Sequence, residues 1–239
     1  MKIVFLIFLL FPFHAGCTKV TDNKPYKGNP DMPRDKSAID YLALGDSYTI
    51  GEGVRENDRW PMQLAAQLNQ SGITVEKPRI VARTGWTTDE LMAEINRLQI
   101  TDTFGLVSLL IGVNNQYRGR SASQFRLELV QLIQLAISFA GGDSGRVFLV
   151  SIPDWGVTPF AAGRDRSRIA REIDEFNEVI RQEAEARKLL FFNITDISRL
   201  AASDNSLLAH DRLHPSGKMY RMWVELILPG VIKSLKNNE

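Results

Sequence analysis

Cysteine is almost missing from this chain: Cys17 is the single one among 239 residues. No disulfide can form within it, so packing alone has to hold the fold, even in an oxidising compartment. Net charge is nearly missing too. Lys plus Arg number 29 against 28 for Asp plus Glu, a formal +1, which excludes the basic field of a nucleic-acid binder and leaves a neutral or small molecule as the expected partner. Histidine is scarce, with three. The apolar stretch "IVFLIFLLFPF" that follows Met1-Lys2 has eleven residues, short of the roughly 20 needed to cross a membrane. What the chain does have is 44% hydrophobic and 24% charged residues, enough for one globular domain of roughly 200 residues with a sizeable core.

The charged start and short apolar core at the N-terminus are those of an export signal. The segment runs into "HAGC", which resembles the lipobox where bacterial lipoproteins are cleaved and lipidated; Ala15-Gly16-Cys17 fit it, and His14 stands where leucine is usual. The expectation is a signal peptide over residues 1–16 and lipidation at Cys17. The protein would then be an exported lipoprotein anchored in the periplasm or at the cell surface, with ordinary secretion as the alternative. Residues 17–36, polar and with three prolines in "TKVTDNKPYKGNPDMPRDK", read as a flexible tether. Residues 37–239 are left as the folded domain.

Within that domain, short apolar runs alternate with helix-length segments. The strand candidates are "IDYLALG", "ITVEKPRIVA", "FGLVSLLIGV", "RVFLVSI" and "LLFFNIT". Parallel strands need long crossovers and are buried on both faces, so this alternation predicts an α/β fold with a parallel sheet between helical layers. Ile169, Ile173, Phe176 and Ile180 lay one apolar stripe along a helix. The charge run "GRDRSRIARE" beside it reads as a solvated face rather than a basic recognition patch, and "SQFRLELVQLIQLAISFA" reads as a buried crossover helix.

Ligands of open parallel sheets bind at the carboxyl ends of the strands. Four segments meet at that edge: Gly45-Asp46-Ser47 after the first strand, Arg83-Thr84-Gly85 after the second, Gly112-Val113-Asn114-Asn115 after the third, and "DRLHPS" before the last helix. A lone serine at such a turn is more often a cap, Gly85 a turn residue, and Asn114 a loop-closing one. Together they are a set, because a serine nucleophile needs a base, an orienter for that base, and oxyanion donors. His210 and His214 are the candidate bases. Asp211 precedes His214 by three residues, a spacing that lets its carboxylate reach Nδ1 and turn Nε2 toward Ser47.

Rival motifs fail. The spacing in "HDRLH" is that of a zinc site, but that motif needs a continuous helix, which Pro215 disfavours at His214, so no metal is expected; Pro215 instead suits the first turn of the helix that follows. "GDSYTIGE" has Glu52 where a phosphate loop has lysine, "GEGVRE" lacks the third glycine of a dinucleotide loop, and Thr49 breaks the G-x-S-x-G elbow.

The four segments in order resemble the SGNH, or GDSL-type, hydrolases. The resemblance rests on "ALGDSYTIGEG", Gly85 in "RTGWTT", Gly112 to Asn114, and Asp211-x-x-His214-Pro215. It departs at Tyr48, where leucine is common, and at Asn115, where aspartate is frequent. The resemblance implies a flavodoxin-like three-layer α/β/α sandwich on about five parallel strands. It implies Ser47 as nucleophile, His214 as base and then acid, Asp211 as orienter, and Ser47 N–H, Gly85 N–H and Asn114 as the oxyanion hole, with no cofactor. The implied activity is ester hydrolysis through an acyl-enzyme, with short-chain acyl esters of carbohydrates or small molecules favoured, acetyl esters among them. A lysophospholipase or thioesterase acting on lipid is one alternative. A non-catalytic carbohydrate-binding lipoprotein on the same fold is another. Trp86, Tyr117 and Trp155 are the aromatic candidates for a pocket wall.

Overall fold

Five apolar runs become five parallel strands in a computed structural model that describes residues 38–237. They are β1 (Tyr41–Gly45), β2 (Arg79–Ala82), β3 (Leu106–Leu110), β4 (Val147–Val150) and β5 (Leu190–Phe192). The signal segment, Cys17 and the tether lie outside the described residues.

The strand order is β2-β1-β3-β4-β5, the flavodoxin-like arrangement, with its topological switch between β1 and β3. Leu44 pairs with Val81 of β2 on one side and Leu109 of β3 on the other. Every residue of β1, β3 and β4 is buried, whereas β2 and β5, at the two edges, are only partly so. That gradient follows from helices covering both faces of a parallel sheet.

The helices are α1 (Ser47–Ile50), α2 (Trp60–Gln70), α3 (Thr88–Leu98), α4 (Val113–Tyr117), α5 (Ala122–Phe139), α6 (Arg166–Ala186), α7 (Thr195–Arg199) and α8 (Gly217–Asn237). Helix α2 packs on α8, while α3 packs on α5 and α5 on α6, giving the two outer layers of an α/β/α sandwich. The stripe Ile169, Ile173, Phe176 and Ile180 is the buried face of α6. Phe176 stacks on Phe125 of α5 with ring centroids 4.7 Å apart, and Arg126 of α5 pairs with Glu183 of α6. No helix among the described residues is long and apolar enough to cross a membrane.

Two local expectations shift. The second strand begins only at Arg79, because Pro78 has no N–H to give the ladder; before it, Val75 makes one isolated bridge to Ile39. Pro215 stands ahead of α8 rather than in its first turn. It bridges to Leu208, and the helix is capped by Ser216, whose oxygen atoms accept from Met219 N–H and Tyr220 N–H.

Candidate active site

Strand β1 delivers Ser47 by ending in a turn that only glycine permits. A Cβ on Gly45 would lie 2.5 Å from the Leu110 carbonyl oxygen of the neighbouring strand. Asp46 then caps the single-turn helix α1, its Oδ1 accepting from Tyr48 N–H at 3.0 Å, and Gly51 in the left-handed region closes the turn. Ser47 is left as the first residue of that turn, beyond the carboxyl end of β1.

The loop before α8 brings the base. Its ends are tied by the Leu208–Pro215 bridge and by Ala209 N–H donating to the His214 carbonyl at 2.8 Å. Asp211 Oδ1 accepts from the N–H groups of Leu213 and His214, each at 3.0 Å. Its Oδ2 is 2.6 Å from His214 Nδ1, and His214 Nε2 is 2.9 Å from Ser47 Oγ. Because a carboxylate can only accept, Nδ1 carries the proton and Nε2 presents its lone pair to the serine. Burial alone would raise the Asp211 carboxyl. The hydrogen bonds from the His214 ring and the two N–H groups outweigh it and hold the carboxyl below its ordinary value, so that it stays ionised. Tyr48, one of the two departures from the GDSL-type pattern, packs its ring against the His214 imidazole at 5.1 Å.

Gly85 and Asn114 flank Ser47 from the two adjacent strands. Gly85, after β2, has φ of +85°, and its N–H, like that of Ser47, donates to no atom among the described residues. Its carbonyl accepts from Arg118 Nη2 at 2.7 Å. Asn114, in α4 after β3, donates from Nδ2 to the Trp86 carbonyl at 2.9 Å and to Asp46 Oδ2 at 3.3 Å. Asn115 points away from the cleft and locks these segments together, accepting from Thr88 N–H at 3.1 Å and donating to Thr88 Oγ1 at 2.6 Å. Asp46 lies beneath this ring of groups, and full burial pushes its carboxyl up to about 7 against the pull of the Tyr48 N–H and the Asn114 amide.

Ser47, His214 and Asn114 line an open cleft with about 430 Å³ of empty volume, walled by Tyr117, Trp155, Phe160, Val113 and Leu213. Of the three aromatic candidates, Tyr117 and Trp155 face the cleft, whereas Trp86 packs against the core. Phe160 was not legible in the sequence, because it sits in a three-residue 3-10 turn, Pro159–Ala161, too short to show a period. His210 is exposed and lies with His214 in a turn rather than on a helix, so the pair lacks the scaffold of a zinc motif.

The model of the GDSL-like lipase/acylhydrolase family matches residues 43–222. Solved structures share the fold at low identity. A psychrotrophic esterase from Pseudoalteromonas sp., in a structure inhibited by monoethylphosphonate, is 18% identical over 83% of this chain and 99% of its own, with a TM-score of 0.64. A lipase/acylhydrolase from Enterococcus faecalis is 20% identical over 81% of this chain and 95% of its own, with a TM-score of 0.62. An acetylxylan esterase from Geobacillus stearothermophilus is 19% identical over 83% of this chain and 94% of its own, with a TM-score of 0.61. No curated protein sequence matches the chain.

Proposed function

This chain belongs to the GDSL-like lipase/acylhydrolase family and is a carboxylic ester hydrolase, and we propose that it works through an acyl-enzyme on Ser47. One observation carries the proposal: the unbroken relay from Asp211 Oδ2 through His214 to Ser47 Oγ, at 2.6 and 2.9 Å. In this mechanism Ser47 Oγ attacks the ester carbonyl carbon as its proton passes to His214 Nε2. The N–H groups of Ser47 and Gly85 and the amide of Asn114 receive the oxyanion. His214 then protonates the departing alkoxide. It next takes a proton from water, which attacks the acyl carbon, and returns that proton to Ser47 Oγ as the acyl–oxygen bond breaks, releasing the acid and free Ser47. Asp211 holds the imidazole in the required tautomer and offsets its charge while the proton is on it.

The substrate reading is a short-chain acyl ester of a carbohydrate or small molecule. It is supported by the cleft beside Ser47 and His214, whose aromatic walls of Tyr117, Trp155 and Phe160 both halves of the ester must share. Export with lipidation at Cys17 belongs to the same proposal, on the strength of the N-terminal sequence, and incorporation of labelled palmitate lost in Cys17→Ser tests it. The hydrolase mechanism is tested with p-nitrophenyl esters of increasing acyl length, beside Ser47→Ala and with fluorophosphonate labelling. The expected result is turnover and labelling that both vanish in Ser47→Ala, with acetyl preferred. A preference for long acyl chains would favour the lipid hydrolase reading, and turnover that survives Ser47→Ala would remove the mechanism.

A further inference from the structure

Arg164 belongs to the charge run that precedes α6, yet its guanidinium does not simply face water. It lies 5.0 Å from the ring centre of Tyr117, 5.3 Å from Trp155 and 5.8 Å from Phe160, three of the residues that wall the Ser47 cleft. Its Nη2 donates to Tyr117 Oη at 3.1 Å. We infer that Arg164 and this aromatic cage form an anion-binding subsite beside the reacting serine, one that selects esters carrying a carboxylate or phosphate remote from the scissile bond. The inference rests on the proposed hydrolase reading, since it names a substrate class for that same cleft.

The charge there is unanswered. Arg164 makes no ion pair among the described residues, and neighbouring Asp165 is occupied as the cap of α6, accepting from Arg168 N–H at 2.9 Å. Arg118 pairs with Glu90, Arg168 with Glu172, and Arg199 with Asp154 and Asp174, while Arg166 donates to the Thr158 carbonyl at 3.4 Å. Stacking on rings holds a guanidinium in place without neutralising it, and of its five N–H donors only one is in use. The remaining fork suits the planar, bidentate geometry of a carboxylate or phosphate. The cage itself is braced. Trp155 Nε1 donates to Gln116 Oε1 at 2.8 Å, and Gln116 donates in turn to Glu172 at 2.7 Å. Tyr117 and Phe160 meet Trp155 edge to face at 5.3 and 5.9 Å. A neutral sugar or alkyl group would find only ring faces here, while an anion would also find a preorganised cation.

Two probes test this, phenyl acetate and 4-acetoxybenzoate, which differ by one carboxylate. Calorimetric titration of Ser47→Ala protein reads binding without turnover. The expected result is binding of 4-acetoxybenzoate about tenfold tighter than phenyl acetate, as one charge-assisted contact allows. That advantage should shrink with added salt, disappear in Ser47→Ala/Arg164→Gln, and be partly kept in Ser47→Ala/Arg164→Lys, which retains charge without the fork. With Ser47 intact, Arg164→Gln should lower the ratio of kcat/KM for the two esters about tenfold. An unchanged ratio, an equal loss on both esters, or failure of 4-acetoxybenzoate to bind better would overturn the subsite. Charge-selective binding without Ser47-dependent hydrolysis would instead sink the hydrolase mechanism and leave the subsite standing.

Discussion

Asp211 grips His214 at two points, through its backbone N–H at 3.0 Å and its ring Nδ1 at 2.6 Å. One carboxylate thus sets both where the loop runs and which nitrogen faces Ser47. Asp211→Ala removes both holds and should lower kcat on p-nitrophenyl acetate by about 10²- to 10⁴-fold, the range for losing an oriented base. Asp211→Asn keeps an acceptor for the backbone and should restore the melting temperature but not the rate. Equal rates for wild type and Asp211→Asn would show that the tautomer is fixed by something else.

Asn114 is held through the Trp86 carbonyl at 2.9 Å and, more loosely, through Asp46 Oδ2 at 3.3 Å; both of its N–H groups are engaged, so donating to an oxyanion means giving up the longer bond to Asp46. If it receives the oxyanion, Asn114→Ala should raise the barrier by ~3 to 4 kcal/mol, seen in kcat more than in KM, in protein that still melts cooperatively. Unchanged turnover would take it out of the mechanism.

Asp46 sets a pH signature of stability rather than of activity. Its carboxyl titrates near 3.8 in the ordinary state and near 7 when buried here. Below 3.8 both folded and unfolded chains carry the proton. Between 3.8 and 7 the unfolded chain loses it first, so this residue's contribution falls as pH rises, and above 7 it is flat. Urea denaturation of wild type and Asp46→Asn at pH 5 and pH 8 should show wild type losing more stability between the two. Parallel losses would mean that Asp46 is ionised throughout.

Gly45→Ala should destabilise the domain by about 1–3 kcal/mol or more, since the added Cβ meets the Leu110 carbonyl oxygen at 2.5 Å and backbone has to move. Its urea midpoint should drop. A midpoint equal to wild type would show that β1 and β3 separate there without cost.

The five strands could be read from the sequence because a parallel sheet covered on both faces leaves apolar runs such as "VFLV". Ser47, Gly85, Asn114, Asp211 and His214 were legible for a different reason: each is a residue type with special chemistry at the end of a strand or before the last helix. What could not be read depends on contacts between loops. Helix α4 has five residues, too few for a period. Arg164 sits in a run that does behave as a solvated face at Arg168, paired with Glu172, yet it folds back onto Tyr117, 47 positions away. Nothing local marks such a return.

The bond between His214 and Ser47 joins positions 167 apart, with the serine just after the first strand and the histidine just before the last helix. During synthesis the nucleophile therefore emerges early and inert. It gains its base only once the loop before α8 has reached it, so its reactivity depends on a contact across the whole domain. Uptake of a phosphonate probe then serves as a clock for complete folding, silent in any intermediate in which the C-terminal loop has not yet come home.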